Sequence, residues 1–280
     1  MLGAMTLDPI VSPRELTNRR DITWFDCRVD EAKYRAGHIA GAQHAQLERD
    51  LSAPAPNPAQ GGRHPLPQLA NFATQLGRWG ITPRSHIVAY DDQNGMNAAA
   101  RFWWLLKAVG HENVQVVDGG LPALLAAGFE LSTEPPAPHQ EAPYPVFELT
   151  RPTADIDEVD RARGDSTRAV IDVRAAFRYR GEKEPIDPIA GHIPGAKNVE
   201  LTQNLNEDGT WKSPAELRAL YTAALSGISP EQAIVHCGSG VTACHTLLAL
   251  DRAGLTGAKL YVGSWSEWCR NPSRPREPKG

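Results

Sequence analysis

The chain repeats itself, and the length of the repeat limits what it can fold into. "WFDCR" at Trp24 to Arg28 answers "VIDVR" at Val170 to Arg174, and "GHIAGA" at Gly37 to Ala42 answers "GHIPGA" at Gly191 to Ala196. "IVAYD" at Ile87 is matched by "IVHCG" at Ile234, and "VVDGGL" at Val116 by "LYVGSW" at Leu260. The offsets, taken from Asp26, Gly37, Ile87 and Gly119, are 146, 154, 147 and 144. Ordered matches at nearly one offset mean duplication. A period this long is a whole domain rather than a solenoid unit, whose periods run to about 50 residues. The expected organisation is a domain over 1–131, a proline-rich linker over 132–153 ("STEPPAPHQEAPYPVFEL" lies in it), and a second domain over 154–280.

Within each copy, short β-branched runs ("AVIDV", "AIVHC", "KLYVG") alternate with helical patterns such as "SPAELRALYTAAL" and "TACHTLLALDRAG". Such alternation predicts an α/β fold, a parallel sheet with helices on both faces. Ser213, followed by Pro214 and Glu216, carries the signature of a helix N-terminus. In sheets of this kind ligands bind beyond the carboxyl ends of the strands. Cys237 falls at such an end.

Composition narrows the partners. The 280 residues are 41% apolar, enough for real cores, and the net charge is −4 with basic residues scattered along the chain. This argues against nucleic acid or an anionic membrane as partner and for a small molecule. The start shows no basic segment ahead of a long apolar run, and no stretch approaches the roughly 18 apolar residues of a membrane span, so a cytoplasmic protein is expected. The cysteines, Cys27, Cys237, Cys244 and Cys269, form no CxxC pair and suggest neither a disulfide framework nor a zinc knuckle. Cys237 and Cys244, if joined by helix, stand roughly 10 Å apart, beyond the ~7 Å limit for bridging. A metal site built from them with His236 and His245 is disfavoured.

The stretch "IVHCGSGVTACH", Ile234 to His245, requires a sharp turn between a buried strand and a helix from Thr242 to Arg252. Gly238 and Gly240 permit positive φ there. A turn of this kind points backbone N–H groups inward at the positive end of a helix dipole. A thiol at its centre ionises readily, which suits Cys237 to nucleophilic attack. Cys27, Cys244 and Cys269 read instead as small buried hydrophobes.

Taken together, "CGSGVTA" at Cys237 to Ala243, the paired "GHIAGA" and "GHIPGA", and "YVGSWSEW" at Tyr261 to Trp268 resemble the tandem-domain rhodanese family of sulfurtransferases. The resemblance runs from about Leu16 to Arg270. It implies a first domain without the nucleophile, Tyr90 and Asp91 standing where its cysteine loop begins. It also implies a second domain in which Cys237 carries sulfur as a persulfide to a thiol, a thioredoxin-like protein or cyanide. No metal or organic cofactor is implied. Loop residues Gly238, Gly240, Val241 and Thr242 would hold the donor. Gly238 and Ser239 resemble the loop of the family's mercaptopyruvate enzymes more than that of its thiosulfate enzymes, which carry Arg and Lys there; thiosulfate is the alternative donor.

By position, Arg178 matches the family's substrate arginine, with Arg174 and Arg180 nearby, and would grip a carboxylate through its planar fork. A second arginine usual shortly before "GHIPG" is missing, Ile186 and Asp187 standing there instead, which predicts weaker carboxylate binding. The family's serine, histidine and acid relay carries over as Ser239, His64 in "GRHPLP" and Glu48, with Asp50 the other candidate acid. Two other classes share the fold. A dual-specificity phosphatase requires an arginine after five loop residues, where this chain has Ala243, and a non-catalytic docking module has no use for a reactive loop.

Overall fold

The computed structural model describes residues 7–137 and 141–278. Before the linker lie β1 (Ile10–Val11), β2 (Ile22–Asp26), β3 (His38–Ile39), β4 (Gln43–His44), β5 (His86–Tyr90), β6 (Val114–Val117) and β7 (Leu131–Ser132). After it come β8 (Thr153–Ala154), β9 (Ala169–Asp172), β10 (Lys197–Asn198), β11 (Ala233–His236) and β12 (Lys259–Tyr261). The first sheet runs β4-β2-β5-β6-β1 and the second β10-β9-β11-β12-β8, every pair parallel, so the two halves share one strand order. β3 and β7 form a separate antiparallel ribbon. Helices cover both sheets, as βαβ connections require.

Strand register corrects one part of the sequence alignment. Asp26 pairs with Tyr90, and Asp172 pairs with His236. Tyr90 is therefore the counterpart of His236, and Asp91, not Tyr90, takes the place of Cys237. Aligning Ile87 with Ile234 put that segment out by one. A strand buried on both faces has no alternation to fix its register from sequence.

A buried ion pair sits at the end of the second strand of each sheet. Arg174 grips its own neighbour Asp172 through Nη2 at 2.6 Å and donates to the Gly191 carbonyl at 2.7 Å. Arg28 does the same with Asp26 and Gly37, both at 2.6 Å. This clasp explains why "D-x-R" and "GHI" recur together: the arginine of one motif holds the glycine carbonyl of the other. Burial pushes the Asp172 carboxyl up, but His236 and Arg174 outweigh it and hold it below its usual range.

Helix Ser213 was expected to cap is Pro214–Leu225, with Ser213 Oγ accepting from the Glu216 N–H and Glu216 reaching back to the Ser213 N–H. The halves are not separate beads. Helix Ala98–Ala108 of the first packs against helix Ala243–Arg252 of the second, and Phe102, Trp103 and Leu106 share one apolar cluster with Leu247, Leu248 and Leu250. The linker is also tied down, Tyr144 being buried and its N–H donating to Ala73 O at 2.9 Å.

Removing one partner of a buried pair strands the other charge, at a cost of about 3–5 kcal/mol. Asp172→Ala should lower unfolding stability by roughly that much in a urea titration followed by tryptophan fluorescence. A loss under about 1 kcal/mol would show that the clasp is not structural.

Candidate active site

Cys237 follows the last residue of β11, and helix Ala243–Arg252 begins beyond the turn. The thiol is 1% exposed, and the Gly240 N–H points at its Sγ from 3.2 Å. Gly240 has φ +77°, and a Cβ there would stand 2.5 Å from the Val262 carbonyl oxygen. Only glycine fits both demands. The "YVGSWSEW" segment clasps the turn from outside. Ser264 Oγ accepts from the Cys237 N–H at 3.2 Å, and the Trp265 and Ser266 N–H groups donate to the carbonyls of Cys237 and Gly238 at 3.0 and 2.9 Å. Val241 is buried, and Val241 and Thr242 accept the first N–H groups of the helix, from Cys244 and His245.

The other thiols are held protonated. Burial raises the pKa of Cys27, that of Cys244 to about 12 and that of Cys269 to about 11. All four cysteines are free, and among the described residues no group of His, Cys, Asp and Glu is arranged to hold a metal.

The first domain reaches this loop through "GGRHP". A Cβ on Gly62 would fall 2.4 Å from Gly263 O, so the two backbones approach too closely for any side chain. Around that contact Gly61 N–H donates to Glu267 Oε1 at 2.7 Å and Arg63 N–H to Ser266 Oγ at 3.1 Å. His64 is thereby delivered to Ser239, Nδ1 lying 2.7 Å from Oγ, while Nε2 lies 2.9 Å from Glu48 Oε1. A carboxylate only accepts, so Nε2 carries the proton and Nδ1 accepts from the serine hydroxyl. Asp50 bonds to Gln46 N–H and Arg49 instead. Burial pushes His64 below its ordinary pKa against the pull of Glu48, and the charges of Arg63 and Arg101 add to the push. Burial and the two arginines thus act against the protonated imidazole.

Arg178 lies over the loop, where a Cβ on Gly238 would meet its Nη2 at 3.4 Å. Glu184 holds it through Nε and Nη2, at 3.1 and 2.6 Å. Arg174 is consumed by its structural clasp, and Arg180 is exposed and paired with Glu182. Sequence reasoning missed Arg63. Its Nη2 stands at the same 3.4 Å from the Gly238 Cβ position, so two guanidinium groups, one from each domain, overhang the turn. Arg63 is held by Asp187, whose buried carboxylate also takes Arg270 at 2.8 Å and lies 3.6 Å from Arg178. Asp187, one of the residues standing where a second arginine was missed, is the anchor for an arginine that comes from the other domain. A second guanidinium therefore stands over the loop although the usual sequence position for it is empty.

Two clefts lie elsewhere. One of about 480 Å³ is lined by Arg49, Ser52, Gln75 and Arg78, and one of about 630 Å³ by Trp103, Lys107, Asp251 and Arg252. Cys237 lines neither of them.

The Rhodanese-like domain profile matches residues 12–127 and 155–271, and the chain belongs to the rhodanese family. Within that family it is a two-domain sulfurtransferase. It is 43% identical to a probable 3-mercaptopyruvate sulfurtransferase of Pseudomonas aeruginosa, over 91% of this chain and 92% of that one. It is 34% identical to the thiosulfate sulfurtransferase of Rattus norvegicus, over 93% and 88% of the two. The solved structure of SseA from Escherichia coli, described as a 3-mercaptopyruvate sulfotransferase, superposes with a TM-score of 0.77 at 30% identity, covering 92% of this chain and 99% of that one.

The two loop glycines make a testable contrast. Gly240→Ala should lose about 1–3 kcal/mol of stability or more, because it combines positive φ with a backbone clash. Gly238→Ala meets only the ends of two flexible side chains and should stay within about 1 kcal/mol of wild type. Equal losses in thermal unfolding would mean that the turn is not set by Gly240.

Proposed function

We propose that this sulfurtransferase takes its sulfur from 3-mercaptopyruvate onto Cys237 and passes it to a thiol, a thioredoxin-like protein or cyanide, in the cytoplasm. The observation that carries the choice of donor is the contact of His64 with Ser239, one residue away from the loop's glycine neighbour of Cys237. Among the described residues no helix is long and apolar enough to cross a membrane.

In the first half-reaction the Cys237 thiolate attacks the donor's sulfur. An S–S bond forms, and the C–S bond breaks with its electron pair passing to carbon as the enolate of pyruvate. The donor's thiol proton ends on that carbon, so thiolate and mercaptopyruvate become persulfide anion and pyruvate with no oxidant or reductant. A neutral His64, acting through the Ser239 hydroxyl, is suited to take that proton and return it to the enolate; Glu48 steadies the transient imidazolium. Arg178 and Arg63 hold the donor's carboxylate over Gly238. In the second half-reaction a thiolate or cyanide attacks the outer sulfur, and Cys237 leaves as the thiolate.

Thiosulfate remains the second reading, favoured by the same two guanidinium groups, which suit a dianion equally well. Its leaving group, sulfite, needs no proton shuttle.

Intact mass after exposure to each donor tests the reading. Mercaptopyruvate should add one sulfur atom that cyanide removes, and Cys237→Ser should take up none. His64→Ala and Ser239→Ala should lower kcat with mercaptopyruvate by about 10²–10⁴ and spare thiosulfate. Equal losses with both donors would remove the shuttle. Arg63→Ala and Arg178→Ala should each cut kcat/KM for mercaptopyruvate by about 30-fold or more.

The shuttle also predicts a pH profile. Activity with mercaptopyruvate falls as His64 protonates, and its pKa is lowered, so the acid limb should lie below the ordinary imidazole value of about 6.5. A limb above that value would sink the assignment.

A further inference from the structure

Arg101 is an arginine in the middle of an apolar helix, Ala98–Ala108, and it is fully buried. Among the described residues no carboxylate lies within salt-bridge distance of it, and its Nε has no partner. A guanidinium in such a place is costly unless its donors are used. They are used on backbone from both domains. Nη1 donates to the Gly240 carbonyl at 3.1 Å, and Nη2 to the His64 carbonyl at 3.0 Å.

One planar fork therefore ties the residue whose N–H faces the Cys237 sulfur to the residue whose ring faces Ser239. We propose that Arg101 is a positioning residue through which the non-catalytic domain sets His64 against the persulfide loop. The proposal rests on the shuttle described above. The charged and polar groups facing His64 are Glu48 on Nε2, Ser239 on Nδ1, Arg63 beside it and Arg101 behind its carbonyl. Glu48 alone favours the protonated ring. Removing Arg101's charge favours that form further, so the imidazole would titrate higher.

Arg101→Gln and Arg101→Lys separate position from charge. Gln removes the cation; Lys keeps it but cannot span both carbonyls. His64 is followed in the resting protein by NMR titration of ¹³C-labelled histidine, its signal assigned by loss in His64→Gln. In Arg101→Gln the titration should move up, and in Arg101→Lys it should stay at the wild-type position. Both variants should lose roughly 10–100-fold in kcat with mercaptopyruvate, with KM changed little, and persulfide formation from thiosulfate should suffer less.

An unmoved titration in Arg101→Gln, or wild-type kcat in Arg101→Lys, overturns the proposal. If Arg101→Gln does not fold, the kcat of Arg101→Lys decides. If neither folds, the wild-type titration decides, a value at or above about 6.5 overturning it. The NMR arm uses no donor, so a failure of mercaptopyruvate to load Cys237 would overturn the donor reading and leave the Arg101 result standing.

Discussion

The site depends on the packing of helix Ala98–Ala108 against helix Ala243–Arg252. That contact fuses two apolar cores that the duplication would otherwise leave separate. It brings "GGRHP" onto the segment Gly263 to Glu267, where Gly62 lets one backbone touch the other. The second domain supplies the thiol and one of the two overhanging arginines. Docking adds a histidine at Ser239 and a second guanidinium over Gly238, neither of which its own sequence supplies. A copy without a nucleophile is therefore half of the site.

The two corresponding turns show how little separates them. In the second domain, Cys237 leaves its strand with one N–H, that of Gly240, on its sulfur. In the first, Asp91 holds the same place, and its carboxylate takes the N–H groups of Gln93, Gly95, Asn97 and Ala99. Burial raises the Asp91 pKa, and those four donors pull it back. The first turn's N–H donors are spent on a carboxyl of its own chain, so the turn has no capacity left for a substrate anion. Loss of chemistry here needs no change of fold.

Much of this was legible in the sequence. The duplication, the α/β alternation and the special place of Cys237 all follow from spacing and residue type. The loop glycines, Ser239, His64 and Glu48 came from motif resemblance, and they meet in the structure although Glu48 and Ser239 lie in different domains. What was illegible depends on docking. Arg63 stands beside His64 in the sequence, yet nothing local says that its guanidinium crosses to Asp187. Arg101 lies within an apolar run, and nothing local says that its guanidinium reaches the Gly240 carbonyl of the other domain. The register of "IVAYD" failed for the opposite reason: a strand buried on both faces tolerates a one-residue slip on paper that pairing with Asp26 forbids.

The arrangement of charge at the mouth suits an anionic donor without inviting collapse. Arg63, Arg178 and Arg270 converge on Asp187, and Arg178 and Arg174 on Glu184. Each carboxylate fixes arginines in place while neutralising only part of their charge. Besides Arg174, which its clasp with Asp172 consumes, three guanidinium groups face the two carboxylates of Asp187 and Glu184. A pair of arginines from one loop would repel and splay in the absence of substrate. Taking one from each domain, Arg63 held by Asp187 and Arg178 held by Glu184 with Asp187 beside it, places both guanidinium groups over the turn only while the two domains are docked.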